Sequence, residues 1–180
     1  MATKIDALLA TFENALCEPW PTLLSGSERI WFLVFDPAEL RRVELRMGDF
    51  EAAARRANRR WIPVSLKPFF PEWMTAHEYR EGYFESPEDL IDQLEADFKP
   101  YVVQRLTEAI QQAQPDNHTL IVLQDVSALF GLIPLSDVLR SVTTGIQGRM
   151  LVFFPGEYQH NQYRLLDARD GWNYLARPIL

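Results

Sequence analysis

Cysteine is almost missing from this chain: Cys17 is the only one in 180 residues. It permits no internal disulfide and no cysteine metal cluster, so a reducing compartment is expected. Histidine is nearly as scarce. His77, His118 and His160 are widely separated, and none stands at i, i+4 from another histidine, a pattern that speaks against zinc. Long apolar runs are lacking too. No stretch approaches the roughly 18 uninterrupted apolar residues of a membrane span. Residues 1–16 mix Lys4, Asp6 and Glu13 with apolar positions, unlike a signal peptide. A soluble, cytoplasmic protein is expected, with no membrane partner. Two catalytic signatures are absent as well, the phosphate loop G-x-x-x-x-G-K-[ST] and the nucleophile elbow G-x-S-x-G. Gly26 is followed by Ser27-Glu28-Arg29, which puts an acid in place of the lysine, and Cys17 has no histidine nearby. The expectation is a chain with no catalytic residue, no metal and no cofactor of its own.

What remains is ordinary globular composition, 47% apolar and 24% charged, in a length that suits one domain over 1–180. The net charge of −7 disfavours non-specific contact with nucleic acid or an anionic membrane. Charge is also segregated. Arg41, Arg42, Arg46, Arg55, Arg56, Arg59 and Arg60 crowd one stretch, while acids dominate residues 72–97. Such segregation suits a protein that docks in a defined orientation.

Four short apolar runs, at 30–35, 61–66, 120–123 and 150–154, are each bounded by polar residues. Runs of this length without alternation predict strands buried on both faces. Helical patterns fill the intervals, which predicts an α/β fold: a mostly parallel sheet of about five strands flanked by helices. Residues 174–180 supply the last strand, confined to an edge by Pro178. After the first strand, Asp36-Pro37-Ala38-Glu39 offers an N-cap, a first-turn proline and an acid. Leu40, Val43, Met47, Phe50, Ala54 and Ala57 then form one apolar stripe, interrupted by Gly48, read as a point of close approach. Ser86-Pro87-Glu88-Asp89 opens a second helix, which Pro100 should kink near Phe98. The aromatic stretch 68–85 between them reads as a helical or looped flap over the sheet.

Asp36, Asp125 and Glu157 each follow an apolar run, where parallel sheets gather ligands at their carboxyl edge. Leu120-Ile121-Val122-Leu123-Gln124-Asp125 has the look of a Walker-B strand, whose acid holds magnesium. Two readings stand: strand-end caps, or a degenerate nucleotide or magnesium site lacking its phosphate grip. The arginines also have two readings, a solvated helix face or a surface for an acidic protein or phosphates. Arg42, Arg46, Arg56 and Arg60, with Phe70 and Trp73 of the flap, are the candidate partner-binding residues. A nucleic-acid module using the arginine helix is the remaining alternative.

The C-terminal third is the most specific segment. Proline and glycine at Pro155-Gly156 predict a sharp turn out of the strand, with Glu157 and Tyr158 projecting from the sheet edge. Asp170-Gly171 begins a second turn, from which Asn173 and Tyr174 could bond backbone or Glu157, a structural polar knot. Phe153-Phe154-Pro155-Gly156-Glu157-Tyr158 resembles the F-[FY]-P-G-E-Y motif of the BrxB family, a small component of BREX bacteriophage-exclusion systems; Arg164 with Leu165 is similar too. Asp170, Asn173, Tyr174 and Arg177 are similar to that family's closing D-N-Y-Y-R-A pattern, though Gly171-Trp172 intervenes and Leu175 replaces the second tyrosine. Pro37 with Arg42-Val43-Glu44, and the stretch 134–142, also resemble the family. The resemblance implies a non-enzymatic scaffold with a P-loop or RecA-like core lacking the phosphate-binding loop. It implies docking to a PglZ-like protein, with the large ATPase and the DNA methyltransferase as further partners and nucleic acid met only indirectly.

Overall fold

Six apolar residues in a row make β1 (Ile30–Phe35), and all six are buried. A strand with no polar face must be covered on both sides, and the rest of the fold supplies that cover. The computed structural model describes residues 3–166 and 174–180. Its other strands are β2 (Arg60–Ser65), β3 (Thr119–Gln124), β4 (Arg149–Gln159), β5 (Gln162–Leu165) and β6 (Arg177–Ile179). The order is β2-β3-β4-β1-β6. All these neighbours are parallel, and β5 alone runs antiparallel, against β4. The expected α/β architecture with a mostly parallel sheet is therefore what forms, and β6, with Pro178, lies at an edge beside β1.

The helices are α1 (Lys4–Cys17), α2 (Leu40–Leu45), α3 (Met47–Arg56), α4 (Phe69–Ala76), α5 (Arg80–Glu85), α6 (Leu90–Gln93), α7 (Lys99–Ala113) and α8 (Leu135–Val142). Side chains alternate across a strand, so each face of the sheet builds its own core. Trp31, Leu33, Phe35, Val122, Leu151 and Phe153 meet α1, α2 and α3. Phe32, Val34, Ile121, Leu123, Val152 and Phe154 meet α4, α7 and α8.

Four local expectations need correction. β2 is not buried on both faces; it pairs only with β3, and Arg60 and Pro63 are exposed. Pro63 lacks a ladder donor, which an edge strand tolerates. The stripe after β1 is not one helix but two, broken at Arg46, and a Cβ on Gly48 would meet nothing within 4 Å, so that glycine serves no close approach. Pro155-Gly156 makes no turn: β4 runs straight through it to Gln159. The chain reverses instead at His160 and Asn161, both left-handed (φ 52° and 61°), as a two-residue hairpin between right-twisted strands requires. Pro100 does act near Phe98: residues Leu94–Phe98 form a π turn immediately before α7.

The N-terminal helix is tied down by charge. Thr3 and Asp6 form a reciprocal capping box, and Arg46 reaches across from the α2–α3 break to bind Asp6 while its Nε donates to Asp49 at 2.7 Å. Hydrogen bonding from Arg46, then from the Thr3 amide and hydroxyl, holds the Asp6 carboxyl well below its ordinary range. A carboxyl depressed in the folded state stabilises above its unfolded pKa and loses that contribution as pH falls through the folded value. Asp6→Asn should therefore lower the melting temperature at neutral pH, and the gap should close as pH drops below about 4. Thermal melts across that range check it; a constant gap would mean that ionisation of Asp6 plays no part.

Candidate functional site

At the carboxyl edge, where parallel sheets bind ligands, the structure separates the three acids that follow the apolar runs. Asp36 Oδ1 accepts the Ala38 amide at 2.9 Å and caps the turn Pro37–Glu39. Asp125 sits in the left-handed region (φ 60°) and accepts the Ser65 hydroxyl, joining the ends of β2 and β3. Glu157 lies farther out on the β4–β5 hairpin, exposed beside Gln159, His160 and Arg164. Among the described residues no group of three or more His, Cys, Asp or Glu is placed to hold a metal.

The crevice between β1, β3 and β4 at this edge is nearly filled. Phe35, Leu40, Val43, Met47, Val126, Phe153 and Pro155 close around Asp125 and Glu44, leaving a cavity of about 40 Å³. That holds roughly one water, against about 300 Å³ or more for an ordinary ligand pocket. The loop leaving β1 also opposes phosphate. Asp36 and Glu39 bring two carboxylates, and Pro37 removes an amide donor from the turn.

Larger hollows lie outside this crevice, the first of them on the same edge. A groove of about 330 Å³ runs between the start of α1, the end of β1 and Leu180, with Ile5, Leu8, Val34 and Phe35 among its walls. It abuts a wider one of about 610 Å³ where Leu45, Arg42 and Arg46 join Lys4, Ile5 and Glu39. A third, about 320 Å³, is almost entirely apolar and formed by residues 130–135 and Leu165.

The arginines do not form one positive face. Arg42 pairs with Glu39 (3.1 Å), Arg46 with Asp6 and Asp49, and Arg56 with Glu13 of α1 (2.7 Å). Arg60 turns to the other side and donates to the Ala113 and Gln114 carbonyls at 2.6 and 3.1 Å, satisfying the C-terminal end of α7. Arg46 and Arg56 thus stitch α1 to the start and the end of α3, while Arg42 pairs only with its own turn. The flap residues are also corrected: Trp73 is buried, its Nε1 donating to Asp97 at 3.0 Å, and Phe70 packs on Trp73 and Phe98. The Trp73 ring is spent on the core, while Phe70 is half-buried and keeps part of its ring at the surface.

The Pro-Gly-Glu-Tyr stretch has a structural role. Tyr158 packs on Tyr163 (4.6 Å between ring centroids), Gly156 pairs with Leu165, and the Pro155 carbonyl accepts the Leu166 amide at 2.8 Å. Tyr174 stacks on Phe32 and lies under the Arg140 guanidinium; its buried hydroxyl has no hydrogen-bond partner among the described residues, and burial pushes its pKa up to about 12. It does not reach Glu157. Asp170, Gly171 and Asn173 lie outside the described residues.

Sequence reasoning missed a cationic knot at the opposite, amino edge. Arg149 is buried at the start of β4 and donates to the Gly148 and Pro21 carbonyls (2.9 and 3.0 Å), while Arg59 lies 3.7 Å over the Trp20 ring. Burial, then repulsion from Arg29 and Arg59, brings the Arg149 pKa down to about 10, so it stays charged at neutral pH. The only signal was an arginine abutting the 150–154 run. Among the described residues no helix is long and apolar enough to cross a membrane. Set against protein-family models, curated proteins and solved structures, the chain matches none of them.

Proposed function

We propose that this chain is a non-enzymatic adaptor of a BREX-type phage-defence complex in the cytoplasm. It docks a PglZ-like protein, with the large ATPase and the methyltransferase as further partners. The observation that carries the reading is the packed crevice at the ends of β1, β3 and β4: a sheet built like a nucleotide-binding core leaves only about 40 Å³ there. A rigid platform whose central crevice is closed, with its roomier groove displaced to the outer side of β1 beside α1, suits a docking role. The likeness of residues 153–158 to the BrxB motif supplies the identity of the complex, and large exposed side chains such as Leu45 and Phe84 fit a protein that meets others.

Co-expression of the tagged chain with a PglZ-like protein and the large ATPase, followed by size-exclusion chromatography and mass spectrometry, tests it. The expected result is a complex of fixed stoichiometry with the PglZ-like protein. Elution of the chain alone, beside folded and soluble neighbours, would end the adaptor reading.

A further inference from the structure

The segment 80–93 gives the core little: Leu90 alone packs against it, and only half-buried. Neither α5, nor the turn Pro87–Asp89, nor α6 contributes a buried residue. Isolated helices shorter than about 12–15 residues are marginal in water, and these have six and four. The segment is fastened at its base, where the Tyr83 ring meets His77 at 5.0 Å and His77 meets Trp73 at 5.1 Å. Beyond that base it turns large apolar side chains outward: Tyr79 is 69% exposed, Phe84 73% and Ile91 65%.

Charge makes the segment less self-sufficient still. Between residues 78 and 92, Glu78, Glu81, Glu85, Glu88, Asp89 and Asp92 face Arg80 alone, a net −5 out of −7 for the whole chain. Among the described residues none of these six carboxylates has an ion-pair partner. Arg80 is turned away, donating to the Thr75 carbonyl at 2.8 Å. Apolar side chains set among unpaired acids match a surface of opposite pattern, an apolar stripe flanked by lysine and arginine. Anionic lipid and nucleic acid are repelled by the same acids. The arm contains no strand, so pairing through an open sheet edge is not its mode.

We propose that residues 79–91 form a docking arm for a basic amphipathic helix of a partner protein. The proposal rests on the adaptor reading for the existence of such a partner and adds its chemistry and its place on the fold. Tyr79, Phe84 and Ile91 supply the apolar contacts, while Glu81, Glu88 and Asp92 select for positive charge.

The test is fluorescence anisotropy of the full chain with a labelled eighteen-residue leucine–lysine peptide, its leucines spaced for one helical face, beside a scrambled peptide of identical composition. Two triple variants accompany it: Tyr79→Ser with Phe84→Ser and Ile91→Ser, and Glu81→Lys with Glu88→Lys and Asp92→Lys. Each should weaken binding about tenfold or more. Melting temperatures should stay within about 2 °C, because no altered side chain is in the core. Equal binding of the scrambled peptide, or unchanged affinity in either variant, overturns the proposal. So does self-association of the unsubstituted chain that the serine variant abolishes, since the arm would then be covered by a second copy. If the patterned peptide binds as expected while no neighbour co-elutes, the arm stands and the adaptor identity fails. If a PglZ-like protein co-elutes equally with both variants, the adaptor stands and the arm falls.

Discussion

Tyr163→Ala lowers the melting temperature by about 6–20 °C, from a loss of roughly 3–5 kcal/mol for emptying a large aromatic site in a chain of this size. The ring is completely buried although it belongs to β5, a four-residue strand at the end of a hairpin. It lies 4.4 Å from Phe32, 5.8 Å from Phe154 and 4.6 Å from Tyr158 between ring centroids, so its removal opens a void against the two central strands. Its hydroxyl donates to the Ala176 carbonyl, tying the hairpin to the segment that becomes β6. Burial pushes the phenol pKa upward, so it remains a neutral donor throughout the physiological range. Tyr163→Phe keeps the packing and leaves that carbonyl unpaired, a smaller loss of about 1–3 kcal/mol. Differential scanning calorimetry on both variants separates ring from hydroxyl. If the alanine variant melts with the phenylalanine one, the cluster around Phe32 has closed over the void and the ring contributes little.

The contrast between β1 and β5 shows what the sequence could convey. β1 is legible because six apolar residues between polar ones have few other uses, and β3 and β4 announce themselves in the same way. β5, Gln162–Leu165, is too short and too polar for its period to register, and its pairing is set by a turn whose signal is two left-handed residues, His160 and Asn161. Pro155-Gly156 misled for a physical reason. Both residues favour turns, yet proline also suits the margin of a sheet, and glycine also permits close approach of two backbones. Only the register decides between these uses. The arginines misled in another way: their number was plain, but their partners Asp6 and Glu13 lie 40 and 43 residues away on α1. The flap was legible only as helical or looped; α4 and α5 form there, and neither they nor their division could be read from the sequence. Trp73 turns inward and Phe84 outward from the same aromatic stretch because only α4 rests on the sheet.

The second large effect falls on the glycine of that motif. A Cβ at Gly156 would lie 2.0 Å from the Arg164 carbonyl oxygen and 2.9 Å from the Phe154 ring. The oxygen belongs to β5, and β5 cannot simply step aside. Leu165 is paired to Gly156 itself, the Leu166 amide is bonded to the Pro155 carbonyl, and the Tyr163 ring is wedged into the core between them. Gly156→Ala must therefore prise the hairpin from β4 or tilt β4 against β1. Either route costs about 3 kcal/mol, the upper end for overpacking, and lowers the melting temperature by roughly 6–12 °C. Gly48→Ala is the matched control. It stands on the exposed side of α3 with open space around the added methyl, and it should stabilise by up to about 1 kcal/mol because alanine is the better helix former. Two glycine-to-alanine changes in one chain thus carry opposite signs, set only by what stands beside each backbone. Thermal melts of the pair decide the matter. If Gly156→Ala is as harmless as Gly48→Ala, the hairpin yields without loss, and the glycine of the Pro-Gly-Glu-Tyr motif must be explained by something that binds there. A large loss makes the motif a device of the fold, leaving partner recognition to surfaces such as the acidic arm.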